Sequence, residues 1–126
     1  QEGVDLVLKS FERMHGGEIF VPKIPSARMT DLAAAMAPDL PLKIIGIRPG
    51  EKLHEIMCPV DNAHQTLEFT GHYVICPAIT FATESDYKTN AIGESANPVA
   101  ADFEYSSGTN PHFLTLAQLQ ELDKAY

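Results

Sequence analysis

The chain has 126 residues, enough for a single domain with a core but few for an enzyme that must enclose both a cofactor and a substrate. Its composition, 44% apolar and 21% charged, is that of a soluble globular protein, and no apolar run approaches the roughly 20 residues that span a bilayer. Nine Lys and Arg against 17 Asp and Glu leave a net charge of -8, which repels a phosphate polymer and argues against nucleic acid as a partner.

The first residues, Gln1-Glu2-Gly3-Val4-Asp5, are acidic where a signal peptide is basic. The chain starts without Met and enters an amphipathic pattern at once, so it reads as a piece of a longer protein. Val4, Val7, Leu8, Phe11 and Met14 recur at the spacing of one helical stripe, with Asp5, Lys9, Glu12 and Arg13 facing away. Gly16-Gly17 is expected to end that helix in the left-handed conformation, and Glu18 to Val21 reads as a short strand before Pro22. Ser26 stands where a cap would open a second helix through Met29, Leu32, Ala33 and Met36, closed by Pro38. Both stripes are expected in the core first, and as an oligomer or interdomain surface second.

Leu42 to Ile47 is a β-branched apolar run suited to a buried strand. It leads straight into Arg48-Pro49-Gly50-Glu51. Leu53 to Val60, Thr66 to Thr70 and Tyr73 to Cys76 read as further short strands of a small sheet. From Pro77 to Asn110 the periodicity fades into one long irregular loop anchored by Ile79, Phe81, Tyr87, Val99, Phe103 and Tyr105. Thr115 and Gln118 have the spacing of a capping box, and Leu116, Leu119 and Leu122 carry a last helix to the terminus. The expected architecture is therefore α/β, one domain over 1–126 with short strands and three helices. Cys58 and Cys76 lie in strand-like surroundings without a Cys-x-x-Cys, as reduced cysteines of a cytoplasmic protein do.

A dinucleotide site needs glycines spaced as Gly-x-Gly-x-x-Gly between a strand and a helix, and none occurs here. No P-loop, Gly-x-Ser-x-Gly elbow or Tyr-x-x-x-Lys pair is present either. No catalytic and no cofactor-binding residue is therefore assigned. The chemistry that remains is at the turn. Pro49-Gly50 suits the centre of a type II turn, which brings the Cα atoms of Arg48 and Glu51 within about 7 Å. A guanidinium holds two phosphate oxygens at once, and a neighbouring carboxylate accepts the hydroxyls of a ribose. By spacing alone the commoner reading is an exposed turn closed by a surface ion pair of little energetic consequence.

With its flanks, the chain resembles the C-terminal part of the inverting UDP-N-acetylglucosamine 4,6-dehydratases. The residues that carry the resemblance are Gly17 to Ser26 (GEIFVPKIPS), Lys43 to Glu55 (KIIGIRPGEKLHE) and Phe103 to Ser107 (FEYSS). It covers nearly the whole length, with Ala27 as the visible departure, and the last motif is that of the branch that begins pseudaminic acid synthesis. The resemblance implies a substrate-binding module of an extended short-chain dehydrogenase, taken from a homo-oligomeric, cytoplasmic, NADP-dependent lyase. In that family a hydride leaves C4 of the sugar for the cofactor, water is lost across C5 and C6, and the hydride returns to C6 with inversion at C5. The catalytic groups lie upstream, in an NADP-binding half this sequence does not contain, so the piece itself is expected to be inactive. The family's diphosphate-binding arginine and ribose-binding acid carry over to Arg48 and Glu51.

Lys23 could neutralise substrate phosphate or stand solvated at a strand end. His54 could act as an acid or base, or be a strand histidine bonded to a neighbour. A metal held by His54, His64, His72 and Asp61 would lack any recognised ligand spacing. Two other functions remain open: a non-catalytic, self-associating interaction module, and the equivalent part of a related nucleotide-sugar epimerase.

Overall fold

The computed structural model describes residues 1–79 and 86–124. The chain divides into two compact units, each assembled from two stretches. One comprises Gln1–Lys23 and Ile56–Tyr105, the other Ile24–Glu55 and Ser106–Tyr126.

The first unit is a helix and a small antiparallel sheet. Helix α1 runs Glu2–Arg13, with Glu2 and Asp5 in its first turn and Arg13 in its last, the arrangement that complements the helix dipole. It stops two residues before the glycines: Met14 is already extended, and Gly16 and Gly17 follow at φ of 127° and 88°. At these positive φ values the glycines turn the chain into β1 (Ile19–Pro22) rather than cap the helix. Strand β2 (Ile56–Cys58) is the only part of the expected Leu53–Val60 strand that forms. Pro59 then opens a 3-10 turn over Val60–Gln65, which leads into β3 (Thr66–Glu68) and β4 (His72–Ile75). Between residues 86 and 114 the chain is irregular apart from β5 (Asn97–Pro98) and β6 (Tyr105–Ser106). The expected anchor Phe81 lies outside the described residues.

The sheet order is β1-β4-β3-β5, and every pairing in it is antiparallel. Side chains alternate across the two faces. Val21, Tyr73 and Ile75 pack with Cys58 and Tyr105 on one side, and Leu67, Phe69, Val74 and Ala96 cluster on the other. Central β4 is buried at all four residues because both of its faces are covered. Each edge strand carries a proline, Pro22 in β1 and Pro98 in β5, and a missing N–H at an edge discourages pairing with further strands. Tyr105 is buried with its ring centroid 5.1 Å from that of Tyr73, an anchor in the irregular stretch. Both cysteines are free, and burial raises the Cys58 thiol to about 11, which leaves it protonated and unreactive at neutral pH.

In the second unit α2 (Met29–Met36) packs against α3 (Leu116–Asp123), burying Ala35 and Leu119. Ser26 does not cap α2. Arg28 occupies that position without a side-chain cap, while Ser26 forms a bridge with Phe113 and its Oγ accepts from Asn110 Nδ2 at 3.0 Å. The expectation failed because the serine is drawn into a pairing with a residue far along the chain. Ala37 precedes Pro38, whose ring disfavours helix there, and α2 ends. The capping box of α3 forms as its spacing predicts: Thr115 Oγ1 accepts from Gln118 N–H at 3.3 Å and Gln118 Oε1 accepts from Thr115 N–H at 2.9 Å.

Two core expectations need correction. Helix α1 buries none of its residues, and Phe11 in the centre of its stripe is 68% exposed. On α2 it is Ala35 that is buried, while Met29 and Met36 are exposed. The other correction is Leu42 to Ile47, which forms no strand and is exposed throughout. In each case the pattern marks a surface that favours burial, but it does not name the covering element.

Candidate functional site

The turn forms as its two central residues require. Gly50 takes φ of 85° and Glu51 N–H donates to Arg48 O at 3.1 Å, the geometry of a type II turn. The side chains then close on one another. Glu51 Oε2 accepts from Arg48 N–H at 2.8 Å, and Oε1 accepts from Arg48 Nε at 2.8 Å and Nη2 at 2.5 Å. These bonds, the side-chain ones foremost, hold the Glu51 carboxyl below its ordinary range, so it is ionised at neutral pH. The pair stands open to solvent, with side chains 74% and 40% exposed.

This geometry decides what a ligand would find. A guanidinium has five N–H donors, and the bonds to Glu51 use the Nε edge, which leaves the outer Nη1–Nη2 edge for two phosphate oxygens. A carboxylate offers about four lone-pair sites, of which Arg48 takes three, so accepting a ribose diol requires the guanidinium to let go of Oε1.

The turn is anchored on its C-terminal side. Glu55 N–H donates to Ser107 Oγ at 3.1 Å, and Ser107 N–H donates to Glu55 O at 2.9 Å. His54 lies 3.4 Å from Ser107 Oγ through Nδ1, and a Cβ on Gly108 would fall 2.8 Å from its ring, so a larger residue there would push the imidazole aside. The motifs ending at Glu55 and at Ser107 thus meet in space. Sequence reading treated them separately, since two short stretches far apart in the chain carry no signal of mutual contact.

Lys23 belongs to the first unit. Its Nζ pairs with Glu68 Oε1 at 2.7 Å and lies 4.9 Å from the Tyr73 ring centroid, so its charge already has partners. An open apolar groove of about 210 Å³ lies between α1 and β1, lined among others by Val7, Phe11, Met14 and Phe20. None of the residues singled out for binding lines it.

His72 had been weighed only as a metal ligand. It is buried on β4 between Phe20 and Phe69, with ring centroids 5.6 and 4.7 Å away, and its Nε2 has no hydrogen-bond partner in the described structure. Burial first, then the charges of Arg13 and Lys23, hold its pKa below the ordinary 6.5, against an opposing pull from Glu94. Because the folded value is the lower one, the stability it contributes is complete above 6.5 and is withdrawn as pH falls through the folded pKa. Melting curves from pH 8 to about pH 5 should show the melting temperature falling as the pH drops. His72→Phe, which keeps the stack and cannot charge, should flatten that part of the fall; an unchanged profile would show that His72 does not couple folding to pH.

The family described as polysaccharide biosynthesis protein matches residues 1–77. The chain belongs to that family. It is 53% identical over 123 residues, 97% of its length, to a protein of Campylobacter jejuni named UDP-N-acetylglucosamine 4,6-dehydratase (inverting), of which it covers 37%. A Rickettsia felis protein named UDP-glucose 4-epimerase is 35% identical over 78 residues, 59% of this chain and 23% of the relative. The solved structure of Pen from Bacillus thuringiensis matches 98% of this chain and 36% of its own with a TM-score of 0.74 at 22% identity, a likeness of fold. This member of the family thus spans little more than a third of its dehydratase relative. Among the described residues no helix is long and apolar enough to cross a membrane.

Proposed function

We propose that this chain is the C-terminal, substrate-binding part of an inverting UDP-N-acetylglucosamine 4,6-dehydratase of the extended short-chain dehydrogenase type, the branch that serves pseudaminic acid synthesis. The reading rests on the 53% identity that runs over 97% of the chain and takes in the turn with both its flanks. Arg48 holds the diphosphate through its outer edge, and Glu51 takes the ribose as the guanidinium lets go.

NADP does not fit the described residues of this chain. Helices α1, α2 and α3 begin at Glu2, Met29 and Leu116, and no positive-φ glycine stands at any of those starts to let a pyrophosphate approach the backbone. The cofactor and the reacting groups therefore belong to a preceding half of a cytoplasmic, homo-oligomeric enzyme, and this chain's part is to hold and orient the UDP group. The longer polypeptide should convert UDP-N-acetylglucosamine to a UDP-2-acetamido-2,6-dideoxy-4-hexulose inverted at C5, seen by NMR of the product, and this chain alone should not. An active 126-residue chain would overturn the division of labour.

The epimerase likeness supports a second reading, in which the same turn binds the UDP of a different sugar nucleotide. The same product analysis separates them, because an epimerase returns a sugar that keeps its 6-hydroxyl.

A further inference from the structure

Leu42, Ile44, Ile45 and Ile47 are 58%, 89%, 73% and 59% exposed. None of the residues 41–47 makes a backbone hydrogen bond in the described structure. The stretch thus combines two things a folded chain avoids leaving together, unpaired backbone and uncovered aliphatic side chains. Its composition is that of a strand, and Ile44 and Ile45, as neighbours, would point to opposite faces of a sheet. A strand apolar on both faces belongs inside a sheet covered on both sides.

Gly46 is where the present path departs from a strand. It sits at φ of 79°, and a Cβ there would meet nothing within 4 Å. Glycine can cross to extended φ without steric cost, so this one residue allows the segment to straighten. The stretch is also held at one end only. Beyond the turn Glu55 is tied to Ser107 by two hydrogen bonds, whereas nothing ties the residues before it.

A second copy of this chain, which carries the same net charge of -8, is one cover to consider. The remainder of a longer polypeptide is the better one: this chain matches 37% of its dehydratase relative, so most of that protein's length lies outside the match. We propose that Leu42 to Ile47 is a strand this chain lends to a sheet built by the rest of the enzyme, straightening at Gly46 as it pairs. This rests on the reading of the chain as part of a longer dehydratase. Since Ile47 adjoins Arg48, the pairing would secure the turn on its free side.

Amide hydrogen exchange on this chain and on the longer polypeptide tests the idea without any substitution. Peptides covering Leu42 to Ile47 should exchange about 100-fold or more slowly in the longer protein, while β4 peptides stay protected in both. Equal, fast exchange of the segment in both proteins would overturn the inference. So would protection in this chain alone that grows with its concentration, since that makes a second copy the cover. Adding UDP to the longer protein keeps the two proposals apart. Slowed exchange at 48–51 bears on the binding turn, and if it is absent while 42–47 remains protected, the binding assignment falls and the strand stands.

Discussion

On the proposed function, Arg48→Ala in the longer polypeptide is expected to raise the KM for UDP-N-acetylglucosamine by about 30-fold to several thousand-fold, the range for losing one member of a desolvated charge pair. The kcat should stay within about threefold, because a contact to the diphosphate is made equally in the ground and transition states. The size of the effect is what discriminates. In this chain the Arg48–Glu51 pair is open to solvent, and a pair that stayed so in the complete enzyme would be worth no more than about fivefold in KM. Arg48→Lys should fall between wild type and alanine, since it keeps the charge and loses the two-pronged geometry. Glu51→Gln should weaken binding less, because it removes the proposed ribose contact and also frees the guanidinium from its partner. Steady-state kinetics of the three variants decides the matter, and an unchanged KM in Arg48→Ala would remove the turn from the binding site.

The largest effect on stability is expected at Phe69. Its ring is buried against Leu67, Val74 and Ala96, and it stacks on His72 at 4.7 Å with the planes 3° apart. Phe69→Ala should lower the free energy of unfolding by about 3 to 5 kcal/mol, read from the urea midpoint, because the sheet around the lost ring relaxes only in part. That is a large share of a stability of about 5 to 15 kcal/mol, so Phe69→Leu, expected to cost less, keeps the measurement possible if the alanine variant is unfolded. Phe11→Ala makes the contrast. Its ring is mostly exposed on α1, and the same truncation should change this chain's stability by no more than about 0.5 kcal/mol. A reversed order would mean that the buried cluster around β4 is not the main core.

The partition of the fold between local and distant causes follows from particular residues. Helices α1 and α3, the ending of α2 before Pro38, the Thr115 capping box and the Pro49-Gly50 turn were all legible, because each depends on dihedral preferences and hydrogen bonds spanning about four residues. Strands β3 and β4 were legible from their composition, though β3 is shorter than expected and β4 begins one residue earlier. The candidate site was half legible. The pairing of Arg48 with Glu51 follows from the turn, whereas the hold of Ser107 on Glu55 joins stretches whose contact no local rule encodes.

What the sequence by itself determined is the set of local shapes, the α/β class with its three helices, and, through resemblance, the family. Only the tertiary structure decided which apolar surfaces are covered. It buried Phe69, His72 and Val74, left the α1 stripe and Leu42 to Ile47 in solvent, and drew Ser26 from a helix cap into a bridge with Phe113. The physical reason is that dihedral and capping preferences act over a few neighbouring residues. Burial is a long-range effect that depends on which other surfaces are present to share it.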